Sequence, residues 1–206
     1  MIVKNEISYK KSLTLEDFNK KAVKLLFAFV FSILIAVSAN IFIYLPVTPV
    51  PITLQTMTVL FAAIVLGSRY ALISTGTYVV TGLLGLPVFA GFKSGIAALA
   101  GPTGGYIIGF LISSYITAVI FENLAKNRKL SSASVFIACV SGISVIYLSG
   151  YIHMLIFFSG SSAYLTVGNI FMNTFNLAVR PFILADLLKI LIIANAGIFV
   201  KNFSRS

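Results

Sequence analysis

Acidic residues are scarce in this chain, which has only five aspartate and glutamate residues against fifteen lysine and arginine residues. All charged residues together make up 10% of the sequence, whereas soluble domains contain about 25%. Hydrophobic residues reach 59%, and the mean hydropathy is +1.03. This composition excludes an ordinary soluble domain and predicts a multi-pass protein of the cell membrane.

Groups that support catalysis or metal binding are also scarce. The single cysteine, Cys139, lies in an apolar run and is expected to pack there without a disulfide partner. The single histidine, His153, provides no metal cluster; we expect it to be packed or hydrogen-bonded, with a cavity-lining role as the alternative. The sequence therefore predicts no catalytic residues, no metal site and no cofactor, and indicates that the protein is not an enzyme.

A phosphate-binding loop of the form G-x-x-x-x-G-K-[ST] is absent, so the chain is not expected to hydrolyse ATP itself. The run G-P-T-G-G-Y-I-I-G at 101–109 has the glycine density of a nucleotide loop. No strand pattern precedes it, however, and the entry to a helix is the better interpretation.

Six apolar stretches are present, and a membrane span needs about 20 residues. The sequence predicts an all-α membrane protein with six transmembrane helices, at 22–44, 52–66, 70–84, 104–121, 133–158 and 179–200. Residues 1–21 form a basic N-terminal arm, 22–200 the transmembrane domain, and 201–206 a short tail. Glycine and proline are dense between 85 and 103, which predicts a structured re-entrant or capping loop. Between 159 and 176 we expect a loop with a short interfacial helix.

The distribution of positive charge sets the predicted orientation. With the N-terminus in the cytoplasm, twelve of the fifteen basic residues fall on the inner side, and Lys93 is the only one in an outer loop. This bias predicts cytoplasmic N- and C-termini, with the loop at 85–103 outside. It also explains the net positive charge without a nucleic-acid partner and leaves membrane lipid as the surrounding partner.

Asp186 is the only acidic residue inside a strongly apolar run, and Lys189 follows it in the last predicted helix. A charge at the bilayer centre costs about 2.5–3.5 kcal/mol on insertion scales, so such residues mark binding or transport sites by default. A spacing of three puts both side chains on one helix face, with Cβ atoms about 5–6 Å apart. The pair predicts a binding site in the outer half of the membrane; a buried ion pair that only joins helices is the alternative.

The first span carries small residues at a spacing of four, namely Ala28, Ser32 and Ala36, with Asn40 one step further. Such a stripe lets another helix approach closely. It predicts either packing within the chain or docking of a separate membrane partner.

Three motifs closely resemble the biotin transporter family known as BioY: P-V-P-I-T-L-Q-T at 49–56, G-L-P-V-F-A-G at 85–91 and the run at 101–109. Asp186-Leu187-Leu188-Lys189 also matches that family's D-x-x-K, and the resemblance covers 22–200. Two positions depart from the family pattern: Ala185 stands where glycine is frequent, and Ser32 replaces the first alanine of an A-x-x-x-A stripe. That stripe meets the transmembrane partner in the family.

The resemblance implies a substrate-binding S component of an energy-coupling-factor (ECF) transporter. Such a subunit captures biotin from outside and delivers it inward with a transmembrane coupling subunit and two ATPase subunits. Three alternatives remain at this point. The chain could be an S component for another vitamin such as thiamine or riboflavin, an intramembrane enzyme, or a structural membrane protein.

The chemistry of biotin suggests a role for each predicted site residue. Ionised Asp186 would accept hydrogen bonds from the ureido N–H groups, while Lys189 would either keep Asp186 ionised or bind the carboxylate. The two ends of biotin are farther apart than such a pair, so a second cation is the alternative for the carboxylate. The remaining predicted substrate-binding residues are that outer cation, two polar residues, two ring-packing aromatics and a glycine of the second motif: Lys93, Gln55, Thr53, Phe89, Tyr106 and Gly91. For the polar and aromatic four, plain packing is the alternative.

Overall fold

The computed structural model describes residues 2–127, 131–159 and 169–203, and this part of the chain is mostly helical. The helices and strands follow in the order α1 (Ile2–Ala39), β1 (Phe42–Ile43), β2 (Ile52–Thr53), α2 (Gln55–Leu66), α3 (Ser68–Leu83), α4 (Gly95–Ala100), α5 (Gly104–Asn127), α6 (Ser132–Ser159), α7 (Ile170–Ala178) and α8 (Ile183–Phe203). The prediction of a mostly helical protein is confirmed.

Three helical segments within the described residues are long and apolar enough to cross a membrane: Asn19–Ala39, Gly104–Lys126 and Ser132–Ser159. The apolar helix α2 has 12 residues and is about 18 Å long, less than the hydrocarbon thickness of about 30 Å. The count of six spans therefore remains a prediction.

The segment after α1 differs from the predicted continuous span. The helix ends at Ala39, and Phe42–Ile43 pairs antiparallel with Ile52–Thr53, so that the proline-rich connector becomes the loop of a small hairpin. The pairing satisfies backbone N–H and C=O groups of the two strands themselves. As a result, the chain enters α2 from an extended segment.

The glycine- and proline-rich stretch at 85–103 is structured, as the sequence predicts. Phe89 and Lys93 form an isolated β-bridge, in which the Phe89 N–H donates to the Lys93 carbonyl at 3.0 Å. Gly91 between them has a φ of 73°, a left-handed conformation that glycine adopts at little cost. The short helix α4 then leads into α5.

Helices α5 and α6 approach closely because glycines face the opposite backbone. A Cβ added at Gly105 would lie 2.5 Å from the carbonyl oxygen of Ser149, and one at Gly109 would lie 3.1 Å from the Cα of Ile146. Small residues at helix crossings are the usual device for tight packing inside a membrane. This pair forms one side of the core, against which α2, α3 and α8 pack.

The two residues singled out by their scarcity both have packing roles. Cys139 is buried in the core. His153 is hydrogen-bonded through Nε2 to the Gly101 carbonyl oxygen at 2.9 Å, which links α6 to the turn before α5. The described residues contain no group of three metal-ligating side chains.

Candidate functional site

A cavity lies where the loop at 85–103 meets α2, α3, α5, α6 and α8. It contains about 640 Å³ of atom-free space, part of which is open to the outside of the molecule. The lining is mainly apolar and aromatic, with a few polar residues: Val50, Pro51, Ile52, Thr53, Gln55, Thr56, Tyr78, Phe89, Ala90, Lys93, Ala98, Thr103, Tyr106, Ile107, Phe110, Ile146, Tyr147, Phe182, Asp186 and Lys189.

Asp186 and Lys189 form a buried ion pair at the wall of this cavity. The Lys189 ammonium lies 2.6 Å from Asp186 Oδ1. Lys189 is 9% exposed and Asp186 is 4% exposed. Asp186 lies in the first turn of α8. The positive end of the helix dipole therefore adds to the stabilisation of this carboxylate.

The three protons of the Lys189 ammonium each have an acceptor. Besides Asp186, they are donated to the backbone carbonyl oxygen of Thr53 at 2.7 Å and to the Thr56 hydroxyl at 3.1 Å. An ammonium has three donors, so no proton remains for a further partner in this arrangement. Lys189 thus serves to hold Asp186 and the start of α2 together.

Asp186 has acceptor capacity to spare. Its Oδ1 accepts from Lys189 and from the Thr56 hydroxyl at 2.9 Å, and its Oδ2 accepts from the Tyr147 hydroxyl at 2.7 Å. A carboxylate offers about four lone-pair positions. Among the described residues three are used, which leaves one position on Oδ2 for a donor that enters the cavity.

Aromatic rings form much of the remaining wall. Tyr78 and Phe89 meet edge to face with ring centroids 5.5 Å apart, and Tyr106 meets Phe182 in the same manner at 6.2 Å. The Tyr106 hydroxyl donates to the Ala178 carbonyl oxygen at 2.6 Å, which fixes the ring's orientation. These rings present flat apolar faces of the kind that cover a planar ring system.

The predicted polar residues act partly through their backbone. Gln55 is buried, and its side-chain amide donates to the Tyr78 hydroxyl at 2.5 Å. Thr53 contributes its carbonyl oxygen to Lys189, while its hydroxyl accepts from the Gln55 backbone N–H at 3.2 Å. Both residues line the cavity and connect Lys189 to the aromatic wall.

Lys93 and Gly91 differ in where they lie. Lys93 is an exposed residue of the loop at 85–103 and lines the cavity from there. Gly91 is not among the cavity-lining residues of the described chain; a Cβ there would lie 2.8 Å from the Tyr44 hydroxyl. Gly91 thus shapes the loop that carries Phe89 and Lys93.

The small-residue stripe of α1 is mostly covered by the chain itself. Ala28 is fully buried and Ser32 is 7% exposed, because this face of α1 packs on α2 and α3. Ala36 is half-buried and, with Ser32, lines an apolar groove along α1. Internal packing therefore accounts for Ala28, whereas Ser32 and Ala36 border accessible space.

Comparison with known proteins agrees with the motifs. Residues 10–205 match the BioY family. The chain belongs to the BioY family. The biotin transporter BioY of Thermotoga maritima is 34% identical over 179 residues, which cover 87% of this chain and 96% of that protein. The probable biotin transporter BioY of Pyrococcus horikoshii is 41% identical over 141 residues, 68% of this chain and 74% of that protein.

A solved structure has the same fold. The crystal structure of the S-component for biotin from an ECF-type ABC transporter superposes with a TM-score of 0.75 at 25% sequence identity. The match covers 91% of this chain and 94% of that chain. Membership of the BioY family confirms the resemblance drawn from the sequence motifs and the prediction that the chain is a membrane transport protein rather than an enzyme.

Two residues of the charged cluster were not predicted from the sequence. Thr56 ends the first BioY-like motif, directly after Gln55, so the motif itself carried the signal that could have identified it. Tyr147 lies in the apolar helix α6 among other aromatic and aliphatic residues, and nothing in its sequence surroundings distinguishes it. Only the packing of α6 against α8 brings its hydroxyl to Asp186.

Proposed function

We propose that this chain is the S component of a biotin-transporting ECF system, which captures biotin from outside and delivers it inward when coupled to its energising module. The observation that carries the proposal is the buried Asp186–Lys189 pair, with an unused acceptor position, in the wall of an aromatic-lined cavity. Family membership, and the names of the relatives and of the solved structure, support the choice of biotin.

Asp186 is proposed to bind the ureido ring of biotin. That ring is neutral and offers two N–H donors, and a carboxylate accepts hydrogen bonds without donating any. The free position on Oδ2 would take one N–H, while Lys189, Thr56 and Tyr147 hold the carboxylate in place. Phe89 and Tyr106 would then pack on the bicyclic ring.

Lys93 is proposed to bind the biotin carboxylate. All three Lys189 protons are engaged, which favours the interpretation that Lys189 holds the charge of Asp186 and does not contact the ligand's anion. Lys93 is the other cation that lines the cavity in the described part of the chain. Its exposed position suits the polar end of a ligand that points outward.

The proposed topology has six membrane helices with both termini in the cytoplasm. Residues 1–21 would be the cytoplasmic basic arm, 22–200 the biotin-binding transmembrane domain, and 201–206 the cytoplasmic tail. The positive-inside bias supports this orientation. Helices α1, α2, α3, α5, α6 and α8 would be the six spans, with α2 and α3 shorter than the bilayer and completed by extended segments.

The transmembrane coupling subunit and two ATPase subunits are the proposed partners. The groove along α1 that Ser32 and Ala36 line is the proposed docking position for the coupling subunit. Ala36→Leu would fill this groove and should reduce co-purification of the coupling subunit. Leu34→Ile is the control, because Leu34 is an exposed apolar residue of α1 that does not line the groove. Equal recovery of the coupling subunit with both variants would argue against docking here.

Calorimetric titration of the purified protein in detergent tests the biotin proposal. Biotin, thiamine and riboflavin should be titrated separately into protein whose folding is verified by a cooperative thermal melt. We expect saturable heat with biotin alone. Binding of thiamine or riboflavin in place of biotin would assign a different vitamin, and absence of any binding to folded protein would reject the proposal.

A further inference from the structure

Helix α7 carries an exposed apolar face that the function proposed above does not use. Phe171, Met172 and Phe175 are 59%, 59% and 41% exposed. Met172 and Phe175 follow Phe171 by one and four positions, which places the three side chains in one sector of the helix. Thr174 and Ala178 are buried against the rest of the molecule. The nine residues of α7 include no charged side chain.

The contacts of α7 place this face beside membrane-spanning helices. The Tyr151 hydroxyl of α6 donates to the Phe171 carbonyl oxygen at 3.3 Å. Tyr151 lies eight residues before the end of α6 at Ser159, about 12 Å along the helix axis. The part of α6 beyond it exposes Ile152 and Ile156, so the start of α7 lies level with an exposed apolar surface of α6.

The opposite end of α7 is attached to the wall of the cavity. The last carbonyls of a helix lack partners within it and need donors from elsewhere. Here the Thr48 hydroxyl donates to the Leu177 carbonyl oxygen at 2.8 Å, and the Tyr106 hydroxyl donates to that of Ala178 at 2.6 Å. Tyr106 lines the cavity, and so do Val50 and Pro51 in the same connector as Thr48.

We propose that α7 is an interfacial membrane helix whose Phe171, Met172 and Phe175 contact acyl chains of the outer lipid leaflet. Through Leu177 and Ala178, this lipid contact holds the connector at 46–51 and the Tyr106 ring in place. The lipid is the occupant because the exposed face lies beside α6, whose Ile152 and Ile156 are also exposed and apolar. The assignment to the outer leaflet rests on the proposed function and its orientation.

Tryptophan fluorescence measures the depth of α7 directly, because the native chain contains no tryptophan. Phe171→Trp should be reconstituted in vesicles whose phosphatidylcholine carries bromine either near the headgroup or near the bilayer centre. Val47→Trp in the connector and Ile192→Trp in α8 serve as the aqueous and deep references; both positions are exposed. We expect Phe171→Trp to be quenched most by the shallow bromine and little by aqueous iodide.

Two results would overturn the lipid contact. Quenching of Phe171→Trp by iodide as strong as that of Val47→Trp would place α7 in water. Protection from both bromine and iodide would indicate a protein partner, such as a second copy of the chain. Neither readout requires biotin, so this test and the titration of biotin can fail independently.

Hydrogen exchange tests whether the lipid contact holds the connector. The double variant Phe171→Ser with Phe175→Ser should raise the amide exchange rate of Thr48 and Val50 about tenfold, as expected when a local restraint is weakened. Leu184→Ser is the matched control, because it removes an exposed apolar side chain from α8 instead of α7. Unchanged exchange in the double variant, or an equal increase in Leu184→Ser, would overturn the restraint.

Discussion

Lys189 is accommodated inside an apolar helix because the protein supplies an acceptor for each of its three ammonium protons. Two of these acceptors are the Thr53 carbonyl at the end of β2 and the Thr56 hydroxyl in the first turn of α2, and the third is Asp186 on the lysine's own helix. The pair therefore ties α2 to α8 as well as shaping the cavity. Its structural and ligand-binding roles can be separated by substitution.

Lys189→Met should lower the stability of the protein strongly, because it leaves the buried Asp186 without its cation. Loss of one partner of a buried ion pair costs about 3–5 kcal/mol. Adding Asp186→Leu removes the remaining charge, so the double variant should melt at a higher temperature than Lys189→Met alone. Thermal melts in detergent check this order.

The same double variant should nevertheless fail to bind biotin. A protein in which the pair only joined helices would lose no function when both charges are replaced by apolar side chains. Calorimetry on Asp186→Leu with Lys189→Met, at a temperature where its melt shows folded protein, separates these cases. Biotin binding at wild-type affinity would leave the pair a purely structural role.

Lys93→Gln should weaken binding of biotin about fivefold, as expected for loss of an exposed ion pair worth about 1 kcal/mol. Biotinamide, which lacks the carboxylate charge, should bind wild type and Lys93→Gln equally. Lys126→Gln is the matched control, since it removes an exposed lysine at the C-terminal end of α5, which is not a cavity-lining position. An equal loss for biotin and biotinamide would mean that Lys93 does not contact the anion.

At the scale of elements, the helices could be predicted from the sequence better than their ends. Within the described residues each of the six apolar runs overlaps a helix, but α5 continues to Asn127, beyond the predicted end of its span at 121. Glu122 belongs to that helix because its carboxylate is held by Ser68 at the start of α3. The Ser68 backbone N–H donates to one carboxylate oxygen at 2.8 Å, and the Ser68 hydroxyl donates to the other at 3.2 Å. This reason is a tertiary contact, which local sequence does not contain.

The site residues divide in the same way into those that the local sequence predicts and those that depend on tertiary contacts. Asp186 and Lys189 could be predicted because charges are rare in apolar runs, and the motifs pointed to Thr53, Gln55, Phe89 and Tyr106, which all line the cavity. Tyr147 could not be predicted, because tyrosine is common in membrane helices and its importance depends on which helix it faces. The β1–β2 hairpin was also missed, since two-residue strands leave no periodicity in the sequence.

Gly105→Ala should destabilise the contact between α5 and α6 by about 1–3 kcal/mol, because the added methyl group meets the Ser149 backbone and the helices must separate. Gly76→Ala in α3 is the control, since its Cβ would meet only a Leu111 side chain at an ordinary 3.9 Å. That change should be neutral or stabilising by up to about 1 kcal/mol. Thermal melts that rank the two variants in the opposite order would contradict the packing described for α5 and α6.

At the scale of the whole molecule, the orientation can be tested with single cysteines. In a Cys139→Ala background, Val47→Cys should react with a membrane-impermeant maleimide on intact cells, because the connector is proposed to lie outside. Lys126→Cys should react only after permeabilisation. The reverse pattern of labelling would contradict the proposed topology, in which basic residues collect on the cytoplasmic side.

Biotin binding by Asp186→Asn tests the central claim most directly. The substitution keeps the size of the side chain but removes the charge and turns one acceptor into a donor, which would face the ureido N–H or the Tyr147 hydroxyl. Loss of a hydrogen bond to a charged group is worth about 1.5–3 kcal/mol, so calorimetry should give a Kd raised about 10- to 100-fold. An unchanged Kd, in protein that still melts cooperatively, would contradict the role proposed for Asp186.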